Sequence, residues 1–384
     1  MISKDINFKN FNLKNKNQKL KQKLISILSE ENEVINSLKR NYKNSYTKKL
    51  INKFKKSKNF RLIGMGGSIL GTNSIYKFLK YKIKKNFIFI DNLHTKEKKS
   101  EKKKFTNLIV SKSGNTLETI VNTNLYLKKK DKNIFLTENK NNYLYSLAQK
   151  LKSEIVHHNN FIGGRYSVLS EVGMLPAELM GLDSKKFKQF DSLIKNKKFI
   201  KSLIDNVSST LKLIKNKKNN SVIINYDENS EYLFKWYQQL VAESLGKDNI
   251  GILPIISNMP KDNHSVMQLY LDGYRNNFFT FFYVNEYKTP KINNIIFNKD
   301  NYHLKSKNLS DIIYAQFKAT QNVFAKKNIP FRSFEIKKRN EKTLGELFSF
   351  FILETILLGR ALNINPYNQP AVELIKKETN KILL

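Results

Sequence analysis

The sequence predicts two doubly wound α/β domains, each on a mostly parallel sheet, with helical extensions at the N- and C-termini. Three observations carry this reading. From about residue 58 short apolar runs alternate with helix-length amphipathic pieces. The series recurs after a helical connector at 186–217. Several runs end in turns rich in glycine or hydroxyls. Such alternation implies parallel sheets covered by helices on both faces, with ligands held beyond the carboxyl ends of the strands.

Taken in order, residues 1–55 read as an N-terminal extension of polar, Lys/Asn-rich helices with thin apolar stripes, such as Leu20, Leu24, Ile25, Ile27 and Leu28. A first domain, 56–185, draws its strands from Phe60–Ile63, Phe87–Ile90, Leu108–Val110, Ile134–Leu136 and Ile155–Val156. A second, 186–340, draws on Ser221–Asn225, Ile250–Ile256, Phe278–Val284 and Pro330–Ile336. Residues 341–384 form a helical segment that completes the site. The charged run 96–104 reads as a solvated loop.

Composition narrows the function. The chain has 384 residues and no cysteine, which excludes disulfides and thiolate metal sites and suits a reducing cytoplasm. The N-terminus lacks a basic stretch followed by an apolar segment, so no secretory signal is expected. The nearest membrane-span candidate, Leu347–Leu358, is short and contains Glu354. A formal charge of +37 invites a nucleic-acid reading. Of the 69 basic residues, however, only seven are arginine and 62 are lysine, spread along the whole chain among Asn and Ile. Those three residue types share A/T-rich codons, whereas base and phosphate recognition favours arginine. No nucleic-acid or membrane partner is expected, and the charge serves to draw in an anionic substrate.

Two turns at strand ends carry anion-binding chemistry. Ser111-Lys112-Ser113-Gly114-Asn115-Thr116 lies between the run ending at Val110 and a helix-like run, Ile120–Leu127. The free N–H groups of a helix's first turn, and its dipole, favour a phosphate there. The hydroxyls of Ser111, Ser113 and Thr116 add donors, and Gly114 lets the backbone approach closely. Gly64-Met65-Gly66-Gly67-Ser68 follows the first strand. Its glycines read G-x-G-G rather than the dinucleotide pattern. Gly67 fits better as backbone against a sugar, and Ser68 as a donor to its phosphate.

Three residues suit the chemistry of proton transfer. Arg165 places a permanent cation beside the Gly163-Gly164 bend, ahead of a helix, in a chain whose basic residues are mostly lysine. Glu243 lies near the end of a helix that stops at Gly246. The negative end of the dipole disfavours a carboxylate there and suits the group to taking up a proton. His264, at a helix start capped by Asp262 or Asn263, is the best acid/base candidate among the five histidines. His157-His158 lacks companion ligands and reads as structural, so no metal site is expected. Gln369 can bond a phosphate or a sugar hydroxyl, and Lys376, two helical turns on, shares roughly the same helix face.

In their order along the chain, these segments resemble the glucose-6-phosphate isomerase family from about residue 60 to the end. The resemblance implies two sugar isomerase (SIS) domains and a reaction between glucose 6-phosphate and fructose 6-phosphate through a cis-enediol(ate). It implies phosphate contacts at Ser68, Ser111, Lys112, Ser113 and Thr116, with Gln369 close by. Glu243 matches the base, Arg165 the cation that stabilises the intermediate, and His264 and Lys376 the residues associated with ring opening. The histidine is implied to come from the neighbouring subunit of a homodimer. The reaction involves no net redox change, so no organic cofactor is expected. Ala371 stands where the family usually has glycine. Two other readings keep the same fold: a dual phosphoglucose/phosphomannose isomerase, whose loop resembles SYSG rather than SKSG, and a phosphosugar sensor, which should lack Glu243, His264 and Lys376.

Overall fold

The computed structural model describes residues 2–13, 18–94, 104–128, 131–286, 288–293 and 299–384, so the charged run 96–104, apart from Lys104, lies outside the described residues. The chain opens with β1 (Ile6–Lys9). It then lays down β2 (Asn59–Gly64), β3 (Asn86–Ile90), β4 (Thr106–Val110), β5 (Lys132–Thr137) and β6 (Glu154–His157). These five form one sheet in the order β3-β2-β4-β5-β6, parallel throughout. The remaining strands are β7 (Asn220–Asn225), β8 (Leu253–Asn258), β9 (Asn277–Val284) and β10 (Phe331–Ile336). They build a second sheet, β1-β10-β9-β7-β8, in which only β1 runs antiparallel. The central strands are buried on both faces, as β4 and β9 are along their entire length, which explains why they show no alternation of polar and apolar residues.

The departures from expectation have local causes. The N-terminal segment contributes a strand as well as helices. Ile6 and Phe8 alternate inward with exposed Asn7 and Lys9, and pair with Ile336 and Phe334 of β10. In the Gln18–Ser29 helix Leu20, Leu24 and Ile27 are buried at helical spacing, while Ile25 faces out. The run at Ile250–Ile256 becomes strand only at Leu253, because Asp248 and Asn249 adopt positive φ (53° and 57°) and turn the chain between Lys247 and Ile250. The apolar stretch Leu347–Leu358 lies within the buried helix Glu341–Ala361. There Glu354 pairs with Arg332 of β10, beside Asn206 and Tyr237. Among the described residues no helix is long and apolar enough to cross a membrane.

One contiguous apolar core joins the inner faces of both sheets, including Leu62, Leu108 and Ile134 from the first and Ile223, Phe282 and Phe334 from the second. The helices Leu70–Phe78, Glu231–Leu245 and Glu341–Ala361 fill it. Smaller clusters cover the outer faces. In the first sheet the strand order reverses between β2 and β4, where a doubly wound sheet opens its ligand crevice.

Candidate active site

Gly64 of β2 pairs with Val110 of β4, so the two anion-binding turns leave the sheet side by side. After β2 the chain makes a 3-10 turn, Gly66–Ser68, with Gly66 at φ +51°. Gly67 is buried against the other glycine motif: a Cβ on it would lie 2.1 Å from the carbonyl carbon of Gly164. No side chain larger than hydrogen fits. Ser68 is half-buried beside this contact. Beyond β4, Gly114 takes φ +66° against Asn142, and the buried Ser111 Oγ lies 2.8 Å from Thr116 Oγ1. Thr116 is therefore turned toward Ser111. The Leu117–Tyr126 helix that begins there has no side-chain N-cap, so its first-turn N–H groups are available to an anion. Ser113 is exposed and accepts from the Asn115 N–H at 3.3 Å. Lys112 is half-buried, its Nζ 3.6 Å from Glu138 Oε1.

Arg165 is fully buried in the 3-10 segment Gly164–Leu169 that leads into the Glu171–Leu179 helix. Neither Gly163 nor Gly164 has positive φ; the steric demand of the bend falls on Gly67 opposite. The guanidinium donates from Nε to Ser244 Oγ (2.8 Å) and from Nη1 to Glu243 Oε2 (3.2 Å) and Gln369 Oε1 (2.7 Å). From Nη2 it donates to the carbonyls of Pro366 (2.8 Å) and Asn368 (3.2 Å). Glu243, half-buried on the Glu231–Leu245 helix, also accepts from Gln239 Nε2 at 2.8 Å. One turn before Glu243, Gln239 packs against Gly66. Lys247 donates to the Ser244 carbonyl (2.9 Å) and the Asn365 carbonyl (2.5 Å), stabilising the negative end of that helix. Burial, and then the charge of Arg165, hold the Lys247 ammonium below its usual pKa.

Gly67, Arg165, Glu243 and Gln369 thus meet, with Ser68, Ser111 and Thr116 on the adjoining turns. His264 and Lys376 do not join them within this chain. His264 is exposed in the 3-10 turn Lys261–His264 after β8, and its side chain makes no hydrogen bond or ion pair with the described residues. The expected cap is absent, because Asp262 accepts from the Asn258 N–H (2.8 Å), and the helix proper starts at Met267. The expectation that Gln369 and Lys376 share a helix face also fails. The helix is Val372–Leu383, and Gln369 precedes Pro370, a position that disfavours helical backbone. Lys376 is exposed and, among the described residues, pairs only with Glu373, at 2.6 Å, on a helix with no buried residue. Ala371 sits at φ −62°, ψ −35°, a conformation any residue adopts, so replacing glycine there leaves the backbone unstrained. Gln239, Ser244 and Tyr166 went unassigned in the sequence. Only the spacing of Gln239 and Glu243, four apart on one helix, could have marked the first of them.

The model of the phosphoglucose isomerase family matches residues 11–252. A glucose-6-phosphate isomerase of Methanocaldococcus jannaschii is 36% identical over 337 residues, 83% of this chain and 82% of that one. One of Mycoplasmopsis pulmonis is 33% identical, covering 84% of this chain and 82% of that protein. Among solved structures, a hypothetical protein from Thermus thermophilus superposes with a TM-score of 0.83 at 22% identity, over 95% of this chain and 94% of that one. A glucose-6-phosphate isomerase from Chlamydia trachomatis gives 0.73 at 17% identity, over 95% and 83%. These two share the fold. Sequence likeness on this scale, over most of both chains, means that this chain belongs to the phosphoglucose isomerase family.

Proposed function

We propose that this protein interconverts glucose 6-phosphate and fructose 6-phosphate through a cis-enediol(ate), a reading supported by its family and by relatives that bear that activity as their name. The observation that carries the site is the 3.2 Å contact between Arg165 Nη1 and Glu243 Oε2, made by separate elements beside the glycine turn. Glu243 takes the proton from C2 of the aldose and returns it to C1. Arg165 offsets the negative charge that grows on the intervening oxygens. Ser68, Ser111, Lys112, Ser113 and Thr116 hold the phosphate with the adjoining helix start, Gly67 lets the sugar lie against backbone, and Gln369 closes the rim. Binding at the phosphate orients carbons that are several bonds away.

His264 and Lys376 assist ring opening, and His264 belongs to the site of a second copy in a homodimer. Its exposure and its lack of a side-chain partner among the described residues support that assignment. In the domain reading, 56–185 and 186–340 are the two sugar isomerase domains, 1–55 flanks them, and 341–384 completes the site. A cytoplasmic location fits the absence of cysteine. The test is conversion of fructose 6-phosphate by purified protein without added metal, following glucose 6-phosphate and mannose 6-phosphate separately. Glucose 6-phosphate alone is expected. Comparable mannose 6-phosphate would move the assignment to the dual enzyme, and binding without either product would make the protein a sensor.

A further inference from the structure

Arg165 uses all five of its N–H donors inside the chain, and they fall into two sets. The Nε and Nη2 donors go to Ser244 Oγ and to the carbonyls of Pro366 and Asn368. The Nη1 donors go to Glu243 and Gln369, two side chains with solvent on one side that can turn away. A substrate oxygen can therefore replace a partner at Nη1 without disturbing the backbone. We propose that Ser244 and Tyr166 are positioning residues that fix the roll of the Arg165 guanidinium and present Nη1 alone to the reacting oxygens, an inference that rests on the isomerase reading.

Hydrogen-bond direction supports this. Tyr166 Oη donates to the Pro366 carbonyl at 2.9 Å, so its 2.8 Å contact with Ser244 Oγ must be received from the serine. The serine's only proton is then committed, which leaves its lone pair facing Arg165 Nε–H. Pro366 O accepts from both Tyr166 and Arg165 Nη2, so Arg165, Ser244, Tyr166 and Pro366 close a ring. Burial raises the phenol's pKa and keeps it a donor. The Tyr166 ring centroid lies 5.1 Å from the guanidinium carbon, and Trp236 Nε1 donates to the Arg165 carbonyl at 3.0 Å, anchoring the backbone. Ser244 also follows Glu243 directly in the chain. The residue that seats the cation is covalently tied to the residue that acts as base, which couples their separation.

Tyr166→Phe and Ser244→Ala test the proposal, with steady-state kinetics on fructose 6-phosphate and melting temperature measured for each. Calorimetry would follow a five-carbon aldonic acid 5-phosphate, whose carboxylate copies the enediolate's charge. A misdirected donor acts in the transition state, so kcat should fall about 10- to 100-fold in either variant. KM should stay within about threefold, and affinity for the acid should fall in step with kcat/KM. Tyr166→Phe keeps the ring and its packing, so it remains informative if Ser244→Ala, which strands a buried N–H, does not fold. A folded Tyr166→Phe that keeps wild-type kcat and wild-type affinity for the acid overturns the proposal and leaves the isomerase reading standing. Wild-type protein that binds the acid but does not turn over fructose 6-phosphate overturns the isomerase reading. The acid's affinity in the variants then judges the guanidinium's placement by itself.

Discussion

At position 243 a carboxylate accepts from an arginine and a glutamine on its two sides; an isosteric amide keeps the Arg165 contact through its oxygen, and its N–H can donate to Gln239 Oε1 once that amide turns over. Glu243→Gln should therefore fold with a melting temperature close to wild type. It should lose the proton transfer, with kcat lower by about 10²–10⁴-fold. Near-wild-type turnover in the folded variant would remove Glu243 from the base role. Gly67→Ala probes the same site through sterics. Its methyl would meet the Gly164 carbonyl carbon at 2.1 Å and the Arg165 nitrogen at 2.4 Å, backbone atoms that must move. Stability should fall by about 1–3 kcal/mol, as in other overpacked sites. Turnover should fall further than the unfolded fraction explains, because Arg165 moves with Gly164. A variant whose activity tracks only its folded fraction would show that the two glycine motifs are independent. Arg165 and Gly67, which the fold brings together, were legible in the sequence because the first is a rare type here and the second belongs to a specific motif. Tyr166, Ser244 and Gln239 are ordinary types, and Ser244 matters through a contact with a residue 79 positions away, which no local pattern reveals.

Strand runs were legible at the scale of elements because fully buried parallel strands carry no polar alternation. The four-residue β1 was not, since Ile6 and Phe8 stand among Asn and Lys and gain their strand character only by pairing with β10. The C-terminal helix shows the opposite failure. Its spacing was readable, but Pro370 moved its start past Gln369. The end of β6 carries a testable element of its own. His158 is buried, its Nδ1 is 2.9 Å from the Asn159 carbonyl, and Glu171 Oε1 lies 3.6 Å away, with Lys112 and Glu138 also acting on it. Burial is the largest influence and lowers its pKa to about 4. The folded protein therefore holds this imidazole neutral, while the unfolded chain protonates it near 6.5. Stability from this group is complete above the unfolded value and is lost as pH falls from about 6.5 to about 4, by at most about 3 kcal/mol. His158→Asn keeps an N–H donor near the same position and does not titrate. Its melting temperature should fall less than that of wild type across this window. Parallel profiles would mean that neighbouring carboxyls, Glu171 among them, set the acid sensitivity.

Considered as a whole molecule, the chain leaves two of its implied site residues, His264 and Lys376, exposed and apart from the cluster around Arg165. His264 has no partner among the described residues, and the Val372–Leu383 helix, none of whose residues is buried, exposes Leu374, Ile375, Ile382 and Leu383. A composition of 62 lysines could not show that both sheets share one core, because that depends on which faces meet across the Glu341–Ala361 helix. Nor could it show which surface residues a second copy would use. If each site takes Glu243 from one subunit and His264 from the other, subunit exchange gives a specific result. Glu243→Gln and His264→Ala homodimers are each inactive, since every site lacks one group. In a mixed dimer of the two variants, one site carries both defects and the other carries none. With random pairing, half the dimers are mixed and half their sites are intact, so co-expression or joint refolding should restore about a quarter of wild-type activity. Simple mixing without exchange should restore nothing. If His264 served the site of its own chain, every site in the mixed dimer would keep one defect, and activity would stay at the level of the separate variants however thoroughly the subunits exchanged.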